Sequence, residues 1–253
     1  MSGKPRRKRL DVLLVERGLA ESRQKAQAMI LAGEIHVEGK KVEKAGENIL
    51  ESAQIDVHSR LQKYVSRGGF KLEGALDDFR VDAGGKVCLD VGSSTGGFTD
   101  CLLQHGAAHV YAVDVNTDQL AWKLRDDLRI IRIKKNAREL IPDDLRGFVD
   151  LVVADVSFIS VTKVLPAACA CARPAADFLI LVKPQFELVR EEIGKGGIVR
   201  DANLREKAIV SVRRSAEDLG LEVVAVAPSC LPGAEGNQEY FLHARKAPKV
   251  KSS

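Results

Sequence analysis

The chain lacks any long apolar run. Its 253 residues are 45% hydrophobic, but no stretch approaches the roughly 18 apolar residues that a membrane-spanning helix needs. Residues 10–17, LDVLLVER, follow the basic start of the chain, and charges interrupt their apolar residues, which is not the pattern of a signal peptide. We therefore expect a cytoplasmic protein with no membrane partner.

Cysteine and histidine are also scarce. Five cysteines are spread along the chain with no C-x-x-C spacing, and the five histidines form no ligand set. An odd number of unpaired cysteines indicates neither a disulfide framework nor a zinc site, so we expect no metal. Small buried cysteines of this kind are typical of a reducing compartment. Oligomeric state stays open.

Charge is almost balanced overall but is uneven along the chain. The formal net charge is +4, and residues 1–9, MSGKPRRKR, contain five basic residues and no acid. A basic arm indicates a polyanionic partner, most simply nucleic acid. For an isolated tail, the alternative of a solvated segment that aids solubility is the more common one.

Residues 9–58 have the pattern of a small α+β domain. Two helices are predicted, Leu10–Arg17 and Arg23–Leu31, and a glycine follows each of them closely. The strands that follow, two of them in a hairpin, are predicted at Glu34–Val37, Lys41–Val42 and Gln54–His58. A domain of about 50 residues lies at the lower edge of independent stability.

This stretch resembles the S4 domain, an RNA-binding module found in ribosomal protein S4 and in several RNA-modifying enzymes. The matching motifs are Arg9-Leu10-Asp11, Ser22-Arg23 and an I-x-V-x-G hairpin at 35–39. The resemblance implies that the basic second helix and hairpin contact RNA phosphates; a helical cap with solvated lysines is the alternative. Basic residues of the arm and of the segment that follows the S4-like stretch complete the predicted RNA-binding set. Its members are Arg6, Arg7, Lys8, Arg9, Arg23, Lys25, Lys40, Lys41 and Arg67.

Residues 86–114 carry the most informative pattern of the chain. The apolar run Val87–Val91 leads into Gly92, a small-residue loop extends to Gly97, and a second apolar run ends at Asp114. Glycine permits close approach of a ligand, and the N-terminus of the next helix offers free N–H groups. An acid ending the next strand can accept hydrogen bonds from a ribose. The pattern predicts a site for an adenosine-containing molecule.

The remaining sequence alternates strands and helices. Strands are predicted at Val87–Val91, His109–Val113, Arg129–Ile133, Leu151–Asp155 and Phe178–Lys183, with helices at Phe98–His105, Asp118–Arg125 and Val161–Cys171. This alternation predicts an α/β fold with a mostly parallel sheet. After a long helix, two strands follow without a crossover, so they must form an antiparallel hairpin; these elements are predicted at Asn203–Leu219, Glu222–Ala227 and Gln238–Ala244.

Such a sheet resembles the Rossmann-like fold of S-adenosylmethionine (SAM)-dependent methyltransferases more than a nicotinamide-binding fold. Four charged residues stand out around it, namely Lys71, Asp155, Lys183 and Glu239. Taken singly, each could be an ordinary surface residue. Together they resemble the Lys-Asp-Lys-Glu active site of the FtsJ-like ribose 2′-O-methyltransferases, which has the same chain order.

The closest resemblance is to the TlyA branch of these enzymes, often labelled haemolysin A, which joins an S4 domain to an FtsJ-like domain. The matching stretches occur in order and extend over nearly the whole chain: SRGGFKL, LDVGSSTGGFTDCLL, AVDV, QLAWKLR, ADVSFIS, LVKPQFE, GKGGIVRD and GNQEYF. One departure from the general methyltransferase loop is Ser94, which occupies the position of the middle glycine.

The resemblance implies SAM as cofactor and ribosomal RNA or ribosomal subunits as partner. It implies that Lys183 assists in-line methyl transfer to a ribose 2′-OH, of a cytidine or another nucleotide, by accepting its proton. Lys71, Asp155 and Glu239 would complete the catalytic set. The implied cofactor-binding residues are Asp90, Gly92, Ser93, Ser94, Thr95, Gly96, Gly97, Asp114, Val115, Asn136 and Asp155, of which Asn136 could equally cap a loop.

The predicted organisation is a basic arm at 1–8, the S4-like domain at 9–58, a linker at 59–67, the methyltransferase domain at 68–245 and a tail at 246–253. Three other functions stay open at this point. They are a membrane-lytic haemolysin, a catalytically inactive RNA-binding protein, and a nicotinamide-dependent oxidoreductase.

Overall fold

A computed structural model describes residues 7–20, 22–31, 33–57, 63–233 and 235–248. The chain divides into two compact units, Met1–Lys63 and Tyr64–Ser253. The division falls inside the predicted linker. Arg6 and the first part of the linker, residues 59–62, lie outside the described residues.

The N-terminal unit combines two helices with short strands. Its elements are β1 (Arg7–Arg9), α1 (Leu10–Glu16), α2 (Arg23–Leu31), β2 (Ile35–Val37), β3 (Lys40–Lys41), β4 (Asn48–Leu50) and β5 (Ile55–Val57). Strand β2 lies between β3 and β5, and β1 pairs with β4. Both predicted helices and the hairpin are confirmed. The strand β1 was not predicted, because its three basic residues have no apolar alternation, and it includes residues assigned to the basic arm.

A small apolar core holds this unit together. Leu10 and Leu14 lie on one face of α1, four residues apart, and both are fully buried against Ile30 of α2 and Ile35 of β2. A helix pair that buries one stripe of leucine and isoleucine leaves its opposite faces to solvent, which is where the basic side chains lie.

The second unit is a Rossmann-like α/β domain. Its elements are α3 (Arg67–Phe79), β6 (Val87–Val91), α4 (Gly97–Gln104), β7 (His109–Asp114), β8 (Ile130–Lys134), β9 (Val149–Ala154), α5 (Leu165–Cys171), β10 (Ala172–Val182), α6 (Pro184–Glu187), α7 (Ala202–Asp218), β11 (Leu221–Pro228) and β12 (Tyr240–Lys246). The strands form one sheet in the order β11-β12-β10-β9-β6-β7-β8.

Within that sheet, β12 runs antiparallel to both of its neighbours, and the other pairings that join β10, β9, β6, β7 and β8 are parallel. The predicted antiparallel ending is confirmed. Because β12 runs in reverse, its first residue, Tyr240, pairs with Val182 at the carboxyl end of β10. A residue just before β12 therefore reaches the edge where the parallel strands end.

Helices cover both faces of the sheet. Along β9, Val152 contributes to a core formed with α5 and α7, while Leu151 and Val153 face a second core formed with α3 and α4. This alternation follows from the period of two residues in a strand. The near-continuous apolar strands are those expected of a sheet covered on both sides.

One predicted helix is wrong. Asp118–Arg125 forms two short 3₁₀ segments, Thr117–Gln119 and Trp122–Leu124. The side chain of Asn116 caps the first segment by accepting from the Asp118 N–H, and the Ala121 N–H donates to the Thr95 carbonyl. The bond to Thr95 takes the Ala121 N–H, which a continuous helix would have bonded to the Thr117 carbonyl.

A buried cluster stabilises the sheet on β10 and β12. The carboxylate of Asp177 accepts hydrogen bonds from Arg245 at 2.9 Å and Lys86 at 3.2 Å, and lies 3.0 Å from His243 Nε2. Burial alone would raise the pKa of Asp177, but hydrogen bonds from His243, Arg245 and Lys86 outweigh it and hold the pKa well below its usual value.

We expect Asp177→Asn to lower the free energy of unfolding of this unit at pH 7 by about 3 kcal/mol, because it removes the buried charged acceptor that His243, Lys86 and Arg245 share. A depressed pKa in the folded state contributes stability above the unfolded pKa, and this is lost on acidification. The wild-type advantage should therefore shrink as the pH falls below about 4. Urea unfolding measures both effects. Asp143→Asn, at an exposed site, should change stability by less than about 0.5 kcal/mol; an equal loss would contradict the assignment.

Candidate active site

A cavity of about 210 Å³ opens where the strands β6, β9 and β10 end. This is the edge at which ligands bind in open α/β sheets. We call it the lysine cavity. It is lined by Ser66, Arg67, Gly68, Lys71, Gly92, Ser93, Ser94, Thr95, Gly97, Phe98, Asp155, Ser157 and Lys183.

Two ion pairs lie at this cavity. Lys183, which follows β10, pairs with Asp155, which follows β9. Lys71, on α3, pairs with Glu239 just before β12, at a distance of 2.5 Å between Nζ and Oε2. Both lysines are 8% exposed and Glu239 is 2% exposed. The structure therefore brings together the four charged residues that the sequence singles out from widely separated positions.

Glycines permit the close packing around these pairs. A Cβ on Gly97 would lie 3.0 Å from the Gly69 nitrogen, so α3 and α4 can approach with their N-termini together. A Cβ on Gly233 would lie 2.5 Å from Oε1 of Glu239. A larger residue at position 97 would press on the backbone of α3, which carries Lys71, and one at position 233 would displace the carboxylate of Glu239.

The glycine loop after β6 takes the shape expected of a ligand-binding turn, and Ser94 keeps that shape. Ser94 has φ +46°, the left-handed conformation that favours glycine. Its N–H donates to Oδ2 of Asp114 at 2.9 Å, and Oδ1 of Asp114 accepts from the Asn116 N–H at 2.9 Å. The carboxylate at the end of β7 is thus fixed beside the loop, and serine in the middle glycine position is accommodated.

A second cavity of about 350 Å³ lies beside Asp114. We call it the Asp114 cavity. It shares Gly92, Ser94, Asp155 and Ser157 with the lysine cavity, so the two spaces adjoin. Its other lining residues are Val113, Val115, Lys135, Asn136, Ala137, Val156, Phe158, Ile159 and Val164.

Asn136 serves as a loop cap and also lines the cavity. Its side chain accepts from the Arg138 N–H at 3.2 Å, which begins the 3₁₀ segment Ala137–Glu139. Val115 is 66% exposed although it lines the same cavity. A large apolar side chain left open beside a cavity is available to cover a ligand.

Asp90 and Gly96, both predicted to bind a cofactor, line neither cavity. Asp90 is fully buried beneath the loop, where Oδ2 accepts from the Thr99 hydroxyl at 2.6 Å. Gly96 has φ +92°, and a Cβ there would lie 2.6 Å from Leu120 and Leu124. These two residues shape the loop from below. A sequence motif does not distinguish such support from contact with a ligand.

In the N-terminal unit, a buried acid organises two of the predicted RNA-binding arginines. Asp11 is fully buried, yet Arg9 binds it through two nitrogens at 2.9 and 3.0 Å. Arg23 donates to the same carboxylate at 3.1 Å and Gln27 at 2.9 Å. The hydrogen bond from Arg9 outweighs burial and holds the pKa of Asp11 far below its usual value. Both guanidinium groups stay about half exposed.

Other predicted RNA-binding residues have acidic or carbonyl partners. Lys8 pairs with Glu16 at 2.7 Å and Lys41 with Glu43 at 3.0 Å. Arg7 donates to the Asn48 carbonyl and Arg67 to the Pro232 carbonyl. Lys25 and Lys40 are exposed. Arg67 lies apart from this set, since it belongs to the second unit and lines the lysine cavity.

Two residues that make clear contacts in the structure were not predicted as site residues from the sequence. Ser157 accepts a hydrogen bond from Lys183 Nζ at 2.9 Å, and Asp11 orders the arginine pair. Asp11 belongs to the motif Arg9-Leu10-Asp11, so the signal was present, but its burial was not readable. For Ser157, its position two residues after Asp155 was the available signal.

Among the described residues, no helix is both long and apolar enough to cross a membrane. Within the same ranges, no group of three or more His, Cys, Asp or Glu side chains is arranged to hold a metal ion.

Residues 64–246 match the model of the FtsJ-like methyltransferases. The chain belongs to the FtsJ-like methyltransferase family. Residues 8–55 of this methyltransferase match the S4 domain. It is 48% identical over 242 residues to the "16S/23S rRNA (cytidine-2'-O)-methyltransferase TlyA" of Mycobacterium tuberculosis, covering 95% of this chain and 90% of the relative. It is 44% identical over 237 residues to "Hemolysin A" of Brachyspira hyodysenteriae, covering 93% and 98%.

Solved structures agree with this assignment. A hemolysin-named protein from Streptococcus thermophilus superposes with a TM-score of 0.75 at 39% identity, over 99% of this chain and 94% of that one. A SAM-dependent methyltransferase from Mesorhizobium loti superposes with a TM-score of 0.52 at 16% identity, over 70% and 98%. The second likeness shows the fold alone, and the fold is the predicted Rossmann-like methyltransferase sheet.

Burial beneath the loop raises the pKa of Asp90 to about 7, and the nearby carboxylates of Asp155 and Asp114 act in the same direction. A carboxyl group whose pKa rises on folding binds its proton more tightly in the folded state. The ionisation of Asp90 therefore lowers the free energy of unfolding as the pH rises from about 4 to about 7.

Asp90→Asn keeps an acceptor for Thr99 but removes this titration. We expect the free energy of unfolding of Asp90→Asn, relative to the wild type, to increase from pH 5 to pH 8. Chemical denaturation at the two pH values measures the difference. A difference that stays constant with pH would contradict the raised pKa.

Proposed function

We propose that this protein transfers a methyl group from S-adenosylmethionine to a ribose 2′-OH of ribosomal RNA. The observation that carries the proposal is the pairing of Lys183 with Asp155 and of Lys71 with Glu239 around one cavity. That cavity adjoins a second one beside Asp114. Adjacent spaces for a methyl donor and an acceptor are what a two-substrate transfer needs.

The Asp114 cavity would hold the cofactor. Asp114 keeps acceptor capacity for ribose hydroxyls beyond its bonds to Ser94 and Asn116, and Asn136 and Val115 line the far part of the cavity. When bound, S-adenosylmethionine supplies a methyl group on a sulfonium centre that a nucleophile can attack. The loop at Gly92–Ser94 borders both cavities, so it would keep the donor and acceptor close.

Lys183 would accept the proton of the 2′-OH. In the transfer the ribose oxygen would form a bond to the methyl carbon as the carbon–sulfur bond breaks, and the hydroxyl proton would pass to Lys183 Nζ after that nitrogen has released its own proton to solvent. Asp155 orients that nitrogen. Lys71, fixed by Glu239, would supply positive charge near the developing alkoxide. Much of the rate would come from holding the two substrates in line.

The N-terminal unit would bind the RNA backbone. Phosphate contacts give affinity and register, whereas the choice of nucleotide must come from the methyltransferase unit, which has to expose the target ribose. Ribosomal RNA is favoured because the Mycobacterium tuberculosis relative is named for it. That name includes cytidine and both 16S and 23S rRNA, and for this chain these finer features are part of the proposal. Cytoplasmic location follows from such a substrate.

A membrane-lytic function is the second candidate, because the Brachyspira hyodysenteriae relative is named "Hemolysin A". One experiment distinguishes the two functions. Purified protein is incubated with labelled SAM and unmodified ribosomal subunits, and separately with dye-loaded liposomes. We expect 2′-O-methyl groups that can be mapped on the RNA and no dye release. Lysis without methylation would overturn the proposal.

We expect Lys183→Ala to lower the rate of methyl transfer by at least about 100-fold, the low end of what general-base catalysis contributes. Binding of SAM, measured by calorimetry, should change little, because Asp114 and the glycine loop stay in place. Lys207→Ala is the matched control, since Lys207 is a largely exposed lysine of the same unit, paired with Glu192. Wild-type methylation by Lys183→Ala would exclude the assigned role.

We expect Asp11→Asn to weaken RNA binding, because the two arginines lose the charge that holds them together. The slope of log affinity against log salt falls by about 0.7 to 0.9 for each phosphate that the protein no longer neutralises. If one or both arginines cease to bind a phosphate, the slope should therefore fall by about 1 to 2. Filter binding at several salt concentrations measures this. Asp56→Asn, on β5 of the same unit, should leave the slope unchanged; an unaltered slope in Asp11→Asn would refute the arrangement.

A further inference from the structure

Ser157 and Asp155 both contact Lys183 Nζ, and the ring centroid of Phe186 lies 6.0 Å from the same nitrogen. The Oγ of Ser157 accepts a hydrogen bond from Lys183 Nζ at 2.9 Å. Ser157 lines both the lysine cavity and the Asp114 cavity. The hydroxyl therefore lies where the two proposed substrates would meet, in contact with the group that would accept the proton.

The loop that carries Ser157 is fixed at its start. The Asp155 N–H donates to the Val91 carbonyl at 2.9 Å. A Cβ on Gly92 would lie 2.4 Å from the Asp155 carbonyl oxygen, so the loop packs directly on the glycine turn. Between these contacts and Ser157 there is a single residue, which leaves the serine little freedom to move.

The loop is also fixed at its end. Glu187, which follows β10 together with Lys183, accepts from the Val161 N–H at 2.8 Å and from the Ser160 hydroxyl at 2.5 Å. Phe158 takes φ +69°, a left-handed conformation that is costly for a bulky residue. Its ring lies 5.6 Å from that of Phe186. The segments carrying Ser157 and Lys183 are thereby joined to each other.

We infer that Ser157 is a positioning residue that directs the lone pair of Lys183. A neutral amine has two N–H bonds and one lone pair. Ser157 Oγ accepts one N–H of Lys183, and Asp155 lies in ion-pair contact with the same nitrogen, so the two oxygens occupy two of the directions around it. The third position, which is the lone pair after deprotonation, is left to face the cavity. Asp155 alone would leave the nitrogen free to rotate.

This inference rests on the proposed function of Lys183 as proton acceptor. A positioning role of Ser157 can be distinguished from a direct binding role, because a binding role would change the affinity for a substrate. Removal of a positioning hydrogen bond lowers kcat and leaves KM nearly unchanged, because the bond matters only while the proton moves. Removal of a binding interaction raises KM for S-adenosylmethionine or for the RNA.

The test compares Ser157→Ala, Ser157→Thr and Ser160→Ala in steady-state methylation of unmodified ribosomal subunits. We expect Ser157→Ala to lower kcat about tenfold, the effect of one hydrogen bond to a charged group, with both KM values within about twofold. Ser157→Thr keeps the hydroxyl and should restore most of kcat. Ser160→Ala makes the same change on the same loop without touching Lys183. The Val161 N–H still joins the loop to Glu187 in this variant, so its loss of kcat should be smaller.

Two results would overturn the inference: a raised KM with unchanged kcat in Ser157→Ala, or an equal loss of kcat in Ser160→Ala. A readout without turnover keeps the test independent of the proposed function. The ¹H–¹⁵N signal of the Lys183 ammonium group, assigned by its absence in Lys183→Met, should broaden or shift in Ser157→Ala and stay in Ser160→Ala. An unchanged signal refutes the contact, whereas an inactive wild type with the expected signal refutes only the proposed function.

Discussion

A buried ammonium group is tolerated only beside an oxygen that compensates its lost hydration, and this constraint governs the cleft of this protein. Lys71 and Lys183 are both almost fully buried, and each has its own carboxylate, in Glu239 and Asp155. The antiparallel direction of β12 meets this requirement for Lys71. If β12 ran parallel, the residue before it would lie at the opposite edge, and Lys71 would have no partner.

The glycine loop and the acid after β7 depend on one another in the same way. Asp114 takes the Ser94 and Asn116 N–H groups, so it holds the turn in a left-handed shape that serine would otherwise avoid. Asp90 lies below with its carboxyl group buried, where a neutral form is favoured. One acid thus borders the cavity as an acceptor, and the other supports the loop. The two carboxylates differ in role because they differ in burial.

Much of the architecture could be read from the sequence. Apolar runs with turn residues between them locate the strands, and two strands without a crossover predict the antiparallel ending, because such strands can pair only as a hairpin. The segment Asp118–Arg125 could not be read correctly, because the Ala121 N–H bonds to the carbonyl of Thr95, far earlier in the chain, and the segment forms two short 3₁₀ turns instead of one helix. Nor could the strand Arg7–Arg9, whose pairing with Asn48–Leu50 joins positions about 40 residues apart.

The residue types of the site were determined by the sequence alone: two lysines, two acids and a glycine loop, together with the motifs of an FtsJ-like methyltransferase and an S4 domain. Only the tertiary structure decided which of the charged residues pair with each other. In the structure Lys71 pairs with Glu239, and Lys183 pairs with Asp155 and donates to Ser157. Asp90 is buried away from the cavity surface. Ion pairs and burial are set by strand order and packing, and these join residues whose separation along the chain carries no signal.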